Sequence, residues 1–142
     1  MKTTTGERFE VLMKCRELGI PTVVWLTPIL PFINDTEENI RGIMSYCVQA
    51  GVKGVLFWDI GVTLRDGDRE YFYHALDQKF LGMKSRYIRT YGNAYQLPSP
   101  NNQALSAMVR AICRDNHMMY AAKDCFAYLY EFPEKYTQLT LF

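Results

Sequence analysis

Thr27 and Asp59 are the side chains of this 142-residue chain best placed for chemistry, because each closes an apolar run that repeats the other's. A shift of 32 residues superposes Gly19 on Gly51, Ile20 on Val52, Val23-Val24-Trp25 on Val55-Leu56-Phe57, and Thr27 on Asp59. Helix, glycine stop and apolar strand recurring at this period form the unit of a parallel sheet or α/β barrel. Ligands of such sheets gather at the carboxyl ends of the strands, where loops and helix N-termini converge. Side-chain alternation groups Val23, Trp25 and Thr27 on one face, and Val55, Phe57 and Asp59 on the equivalent one. A hydroxyl and a carboxylate are therefore expected to form a polar, ligand-facing rim. Two other readings stand beside it: Thr27 and Asp59 cap their own loops, or the opposite parity holds and Leu26 and Trp58 point inward.

Other reactive side chains point to structure. Cys15, Cys47, Cys113 and Cys125 are scattered singly, without the closely spaced ligand pairs of a metal site, and are expected as buried, reduced thiols. His74 sits amid Tyr71, Phe72 and Tyr73, and neither it nor His117 has a nucleophile or ligand at motif spacing. The many tyrosines are expected to pack with satisfied hydroxyls. Asn34 and Asp35 read as helix caps, and the acids at 35, 37 and 38 disfavour an anion there. No Walker loop, GxGxxG, HExxH or GxSxG occurs.

The elements that must position Thr27 and Asp59 can be read from patterning. Thr4 and Glu7 have capping-box spacing, and a helix with Phe9, Leu12 and Met13 on one face runs to Leu18 and stops at Gly19. Residues 21–26 read as a short buried strand. Asp35 and Glu38 suggest a second capping box, before a stripe of Ile40, Ile43, Met44, Cys47 and Val48 that ends at Gly51. A second strand is expected over 52–58. Helices are expected over 68–80, 83–91, about 100–114 and 123–130, and a further short strand over 117–121. GNAYQLPSPNN reads as a loop, with Ser99-Pro100 as cap and first-turn pair. The fold class expected is α/β: two β/α units over residues 1–66, as a partial barrel fragment, and a mostly helical extension over 67–142.

Composition is compatible with one folded domain: 49% hydrophobic and 14% aromatic residues supply a core. A net charge of +1 gives no bulk pull toward nucleic acid or membrane, though Lys84, Arg86 and Arg89 form a local basic group. No apolar run approaches the roughly 20 residues of a spanning helix, and MKTTTGERFE lacks the apolar core of a signal peptide. A soluble cytoplasmic protein without membrane partners is the expectation.

The stretch RFEVLMKCRELGIPTVVWLTPILPFINDTEENI resembles the late strands of radical S-adenosylmethionine proteins related to spore photoproduct lyase. Such proteins often carry a basic helix, "GIP", an apolar strand and a "PIxPGxND" element, matched here by residues 28–35. The resemblance is best over residues 7–60 and weaker at YGNAYQLPSPNN. It implies a partial (β/α)6 barrel whose last two strands hold the adenosyl part of S-adenosylmethionine, largely through backbone and apolar contacts. On this chain that falls to Trp25, Thr27, Pro28, Ile29 and Asp59. It also implies a 4Fe–4S cluster on a CxxxCxxC loop after the first strand, which cleaves the cofactor to an adenosyl radical; in the lyase that radical repairs DNA. Phe32 stands where the family commonly has Gly, and the cluster loop and about four strands are missing from the sequence. The resemblance thus implies the C-terminal portion of such an enzyme, partnered by the rest of its barrel, holding no cofactor tightly and not catalytic alone.

The last five residues, QLTLF, are similar to the peptide with which bacterial DNA polymerases and repair proteins dock on the sliding clamp. Gln138 would offer its amide to backbone groups, and Leu139, Leu141 and Phe142 would anchor in an apolar groove. A hydrophobic terminus packed on its own domain is the competing reading.

Overall fold

The computed structural model describes residues 3–131. They form a mixed α/β structure of six helices and four short strands. Helix α1 (Thr5–Glu17) starts at the expected capping box: Thr4 Oγ1 accepts from Glu7 N–H at 3.2 Å while Glu7 Oε2 accepts from Thr4 N–H at 2.6 Å. It ends where Gly19 takes a φ of 68°, a left-handed conformation that costs other residues about 1–2 kcal/mol. Strand β1 (Val23–Trp25) follows, then α2 (Glu37–Gln49) and β2 (Gly54–Leu56), parallel to β1. The expected strands at 21–26 and 52–58 are thus present but shorter. The cap of α2 is Thr36, whose Oγ1 accepts from Asn39 N–H, so the Asp35–Glu38 capping box is corrected. Asn34 instead turns its Oδ1 back onto Leu30 N–H, and Asp35 is buried against Ser99.

After β2 the chain leaves the parallel sheet for some forty residues. It forms β3 (Gly61–Thr63), α3 (Asp68–Lys79), α4 (Met83–Tyr91) and β4 (Gln96–Pro98), with β4 antiparallel to β3. The reading of 92–102 as pure loop missed β4, and nothing in the patterning announced β3. Ser99-Pro100 does not start the next helix: α5 (Asn102–Asp115) has Asn101 at its cap, while Ser99 Oγ accepts from Asn101 N–H and donates to Asp35. Met119 then pairs in parallel with Gly54, where the sequence suggested a short strand, and α6 (Ala122–Tyr130) ends the described chain. The parallel order is therefore β1, β2, Met119. Three strand positions are present, the third within the short strand expected over 117–121, with residues 60–99 inserted between the second and its crossover helix α5.

Two hydrophobic clusters follow from this topology. The first lies under the parallel sheet and gathers Val55 and Phe57 with Ile40 and Met44 of α2 and Leu105, Val109 and Cys113 of α5. The second belongs to the insertion: Leu64, Tyr73, Leu76, Tyr87 and Leu97, with Phe32 and Ile33 reaching in from the loop after β1. That loop is fixed where it touches both clusters. Tyr87 donates its hydroxyl to Pro31 O at 2.7 Å, and burial pushes that phenol well above its ordinary pKa. Phe32 adopts a φ of 64°, at the position where the resemblance leads one to expect glycine. Its ring meets Tyr87 edge-on at 5.7 Å and carries the Arg86 guanidinium at 3.9 Å, contacts that offset the backbone cost.

Two substitutions test this account by urea denaturation. A Cβ on Gly61 would lie 2.3 Å from Leu97 O and 2.7 Å from Pro98 Cα. Gly61→Ala is therefore expected to destabilise by about 2–3 kcal/mol, and a neutral result would show that β3 and β4 do not approach so closely. At position 32 the left-handed φ reverses the usual order of small residues. Phe32→Gly should be more stable than Phe32→Ala by about 1 kcal/mol, and an alanine variant as stable as the glycine one would contradict the backbone conformation.

Candidate functional site

The carboxyl ends of β1 and β2 open onto a cleft of about 120 Å³ whose far wall is the β3–β4 ribbon. Trp25, Thr27 and Asp59 line it together with Trp58 and, from the ribbon, Val62 and Gln96. Three of the five residues assigned to cofactor contact thus meet in one cavity. The other two lie on the opposite side of β1, where Pro28 and Ile29 border a groove of about 320 Å³ between β1, α1 and α2. Pro28 is exposed, whereas Ile29 is buried in the first cluster, its N–H bonded to Gly61 O at 3.0 Å. Trp25 and Thr27 border both spaces.

The ladder pairs Val24 with Val55 and Trp25 with Leu56, an offset of 31 residues rather than the 32 of the sequence repeat. A one-residue slip exchanges faces. Val24, Val55 and Phe57 therefore turn to the first cluster, while Trp25 and Trp58 stand together on the open face. Their rings are 5.6 Å apart, tilted by 49°, and 55% and 54% exposed. Phe126 of α6 continues the aromatic surface, 6.4 Å from Trp58. Gly54 lets α6 cross so near, since a Cβ there would be 3.0 Å from Cys125 Sγ. Leu26 is buried and Trp58 is exposed, so the alternative parity pairing those two inward does not hold. Thr27 and Asp59 still reach one cleft because both lie beyond the last ladder pair, where the chain is no longer held to strand alternation.

Asn102 fixes the carboxylate of this cleft. Its Oδ1 accepts from Ile60 N–H at 2.7 Å and from Ser106 Oγ–H at 3.0 Å, which forces its amide nitrogen toward Asp59. The Nδ2 group donates to Asp59 Oδ1 at 2.7 Å. One carboxylate oxygen of the exposed Asp59 is thereby held, and among the described residues no hydrogen bond engages the other. Sequence reasoning missed Asn102 and Gln96, and turned Trp58 inward only in the alternative parity, together with Leu26. The loop-like NN at 101–102 gave no sign of a contact to residue 59.

The remaining candidates stay apart from the cleft. His74 lies exposed on α3, its Nε2 3.0 Å from Gln78 Nε2, and His117 occupies a positive-φ turn after α5. Cys47, Cys113 and Cys125 are buried, whereas Cys15 is half-buried, a correction to the expectation for it. Desolvation pushes the Cys47 and Cys113 thiols up to about 11, which opposes the thiolate that metal ligation requires. Among the described residues no three His, Cys, Asp or Glu side chains gather as a metal site, and no helix is long and apolar enough to cross a membrane. Gln138, Leu139, Leu141 and Phe142 fall outside the described residues.

No family model matches this chain, and no solved structure matches it. It is similar to uncharacterized proteins of Mycobacterium bovis and of two Mycobacterium tuberculosis strains, 26% identical over 106 residues in each case. The alignment covers 75% of this chain and 31% of each relative, so the chain spans about a third of the length of the curated proteins it matches.

Proposed function

We propose that the chain is the C-terminal part of a radical S-adenosylmethionine enzyme resembling spore photoproduct lyase, its strands the last of a partial β/α barrel. The observation that carries the reading is the cleft at the carboxyl ends of β1 and β2, where two exposed tryptophans stand beside an anchored carboxylate. The residues present suit the adenosyl group. Trp25 and Trp58 offer π-faces to a purine, Asp59 offers its unengaged oxygen to ribose hydroxyls, and Gln96 offers an amide. At about 120 Å³ the cleft is well below the roughly 300–1,000 Å³ of complete ligand sites, in keeping with one wall of a shared pocket. The thiols do not suit the cluster: they are singly placed and three are buried. Its ligands would come from polypeptide outside these residues, and no chemical step is assigned to this chain. S-adenosylmethionine, when bound to a reduced cluster in such an enzyme, supplies the adenosyl radical; this chain's part is to hold and orient the nucleoside. DNA is the substrate class suggested by the resemblance.

A second reading rests on QLTLF, an interaction module docking on a sliding clamp through Gln138, Leu139, Leu141 and Phe142. The two are compatible in a protein that works on DNA.

Titrating S-adenosylhomocysteine, a stable carrier of the same adenosyl group, into the chain should quench tryptophan emission with weak affinity. Asp59→Asn should weaken that binding about tenfold, the value of one charge-assisted hydrogen bond; quenching indifferent to Asp59 and to Trp25→Leu would remove the cleft from consideration. For the tail, the expected result is micromolar-range clamp affinity that vanishes when Leu141 and Phe142 are deleted, about 8 kcal/mol of binding free energy at 1 μM. Binding unchanged by the deletion would end the second reading.

A further inference from the structure

We infer that the cleft selects a small onium cation, a quaternary ammonium or a sulfonium, held between two indoles and one carboxylate. The inference concerns the same cleft as the adenosyl reading but needs no adenosyl group. Its first support is the charge of the walls. Among the described residues, Asp59 is the one charged side chain that lines the cavity, and it forms no ion pair. Its partner is the neutral amide of Asn102 at 2.7 Å. Asn102 cannot turn away, because Ile60 N–H and Ser106 Oγ–H hold its oxygen. A neutral donor fixes the carboxylate without cancelling its charge, so the cleft keeps a negative charge for a ligand to match.

An exposed carboxylate alone attracts every cation weakly, and the indoles supply the selection. Trp25 and Trp58 both line the cavity, with ring centroids 5.6 Å apart. Their tilt of 49° leaves them short of a parallel stack, so neither ring face is covered by the other. An indole attracts a cation that lies over its face within about 6 Å of the centroid, more strongly than any other aromatic side chain. A positive group in the cleft meets both rings and the Asp59 carboxylate together. The class of cation follows from the hydrogen-bond demands of each candidate. A primary ammonium carries three donors that need acceptors, which indole faces do not offer. A guanidinium pairs best with a carboxylate that presents both oxygens, and Asn102 already engages Asp59 Oδ1. An onium ion has no N–H to satisfy, and its charge is spread over methyl or methylene groups that can lie on the indoles. Its head is also compact, in keeping with a cavity of about 120 Å³.

The test uses the 142-residue chain, whose two tryptophans are Trp25 and Trp58, so that its tryptophan emission reports the cleft alone. At constant ionic strength, tetramethylammonium and choline should quench that emission with about millimolar affinity. Dimethylbutanol, the uncharged carbon isostere of choline, should bind at least about tenfold more weakly. Trp58→Leu and Asp59→Asn should each weaken choline binding about tenfold. Both side chains are exposed, so the melting temperature should stay close to that of the parent chain. Emission indifferent to choline, equal binding of the isostere, or choline binding unchanged in both variants would overturn the inference. S-adenosylmethionine separates the two sources of the charge, since its sulfonium is what S-adenosylhomocysteine lacks. If it binds about tenfold tighter than S-adenosylhomocysteine, the inference holds with a sulfonium as occupant. Choline bound, with neither adenosyl compound bound, keeps the inference with a trimethylammonium group as occupant and ends the adenosyl reading. Equal binding of both adenosyl compounds, with choline not preferred over its isostere, keeps the adenosyl reading and ends the inference.

Discussion

The structure depends on the chain returning to the place it left. It exits the parallel sheet at residues 59–61 and comes back at 98–102, and the two passages are joined backbone to backbone. Ser99 N–H donates to Ile60 O at 2.7 Å, Gly61 lies against Leu97 O and Pro98, and the Asn102 side chain takes Ile60 N–H. Without that junction α5 would not be delivered to the first cluster, where it supplies Leu105, Val109 and Cys113. Nor would Met119 reach the edge of β2. Each hydrogen bond contributes roughly 0.5–1.5 kcal/mol, but their joint effect is topological: they make a forty-residue excursion cost the sheet nothing in register.

The loop after β1 ties the same junction to the second cluster. Pro31 accepts from Tyr87, Phe32 inserts among Tyr87, Tyr91 and Arg86, and Asp35 accepts from Ser99. A buried carboxylate is tolerable only with such a donor, and Ser99 is also the residue that returns the chain to Ile60. The loop at the end of one strand and the insertion at the end of the next are thereby held as one body. The ribbon wall of the cleft cannot drift from the tryptophan wall without breaking these contacts.

Much of this was legible in the sequence wherever a local rule decides. The glycine stops at 19, 51 and 92 all take positive φ, and the Thr4–Glu7 box forms as spaced. The helical stripe of Ile40, Met44 and Cys47 faces the core. What escaped was decided by distant partners. Asp35 was taken for a cap because caps are local, but Ser99 claims it from 64 residues away. Strands β3 and β4 have three residues each and exist through each other. The 32-residue repeat correctly marked the two β/α units, yet pairing obeys hydrogen-bond geometry rather than sequence equivalence, and settled at 31. That one residue moved Trp58 from the assumed exterior to the rim of the cleft. Thr27, Asp59 and Trp25 line one cleft, although the pairing that grouped them by face was off by one residue.

Trp25 stands where the two spaces beside β1 meet. Its side chain forms a wall of the candidate site beside Trp58 and also borders the groove between β1, α1 and α2. The 31-residue register that puts the indole on the open face also turns Val24 toward the first cluster, so one pairing decides both the aromatic rim and the packing beneath it. A slip of one residue would turn the indole toward the core and Val24 toward solvent, and the cleft would lose its aromatic wall as the core lost an apolar contact.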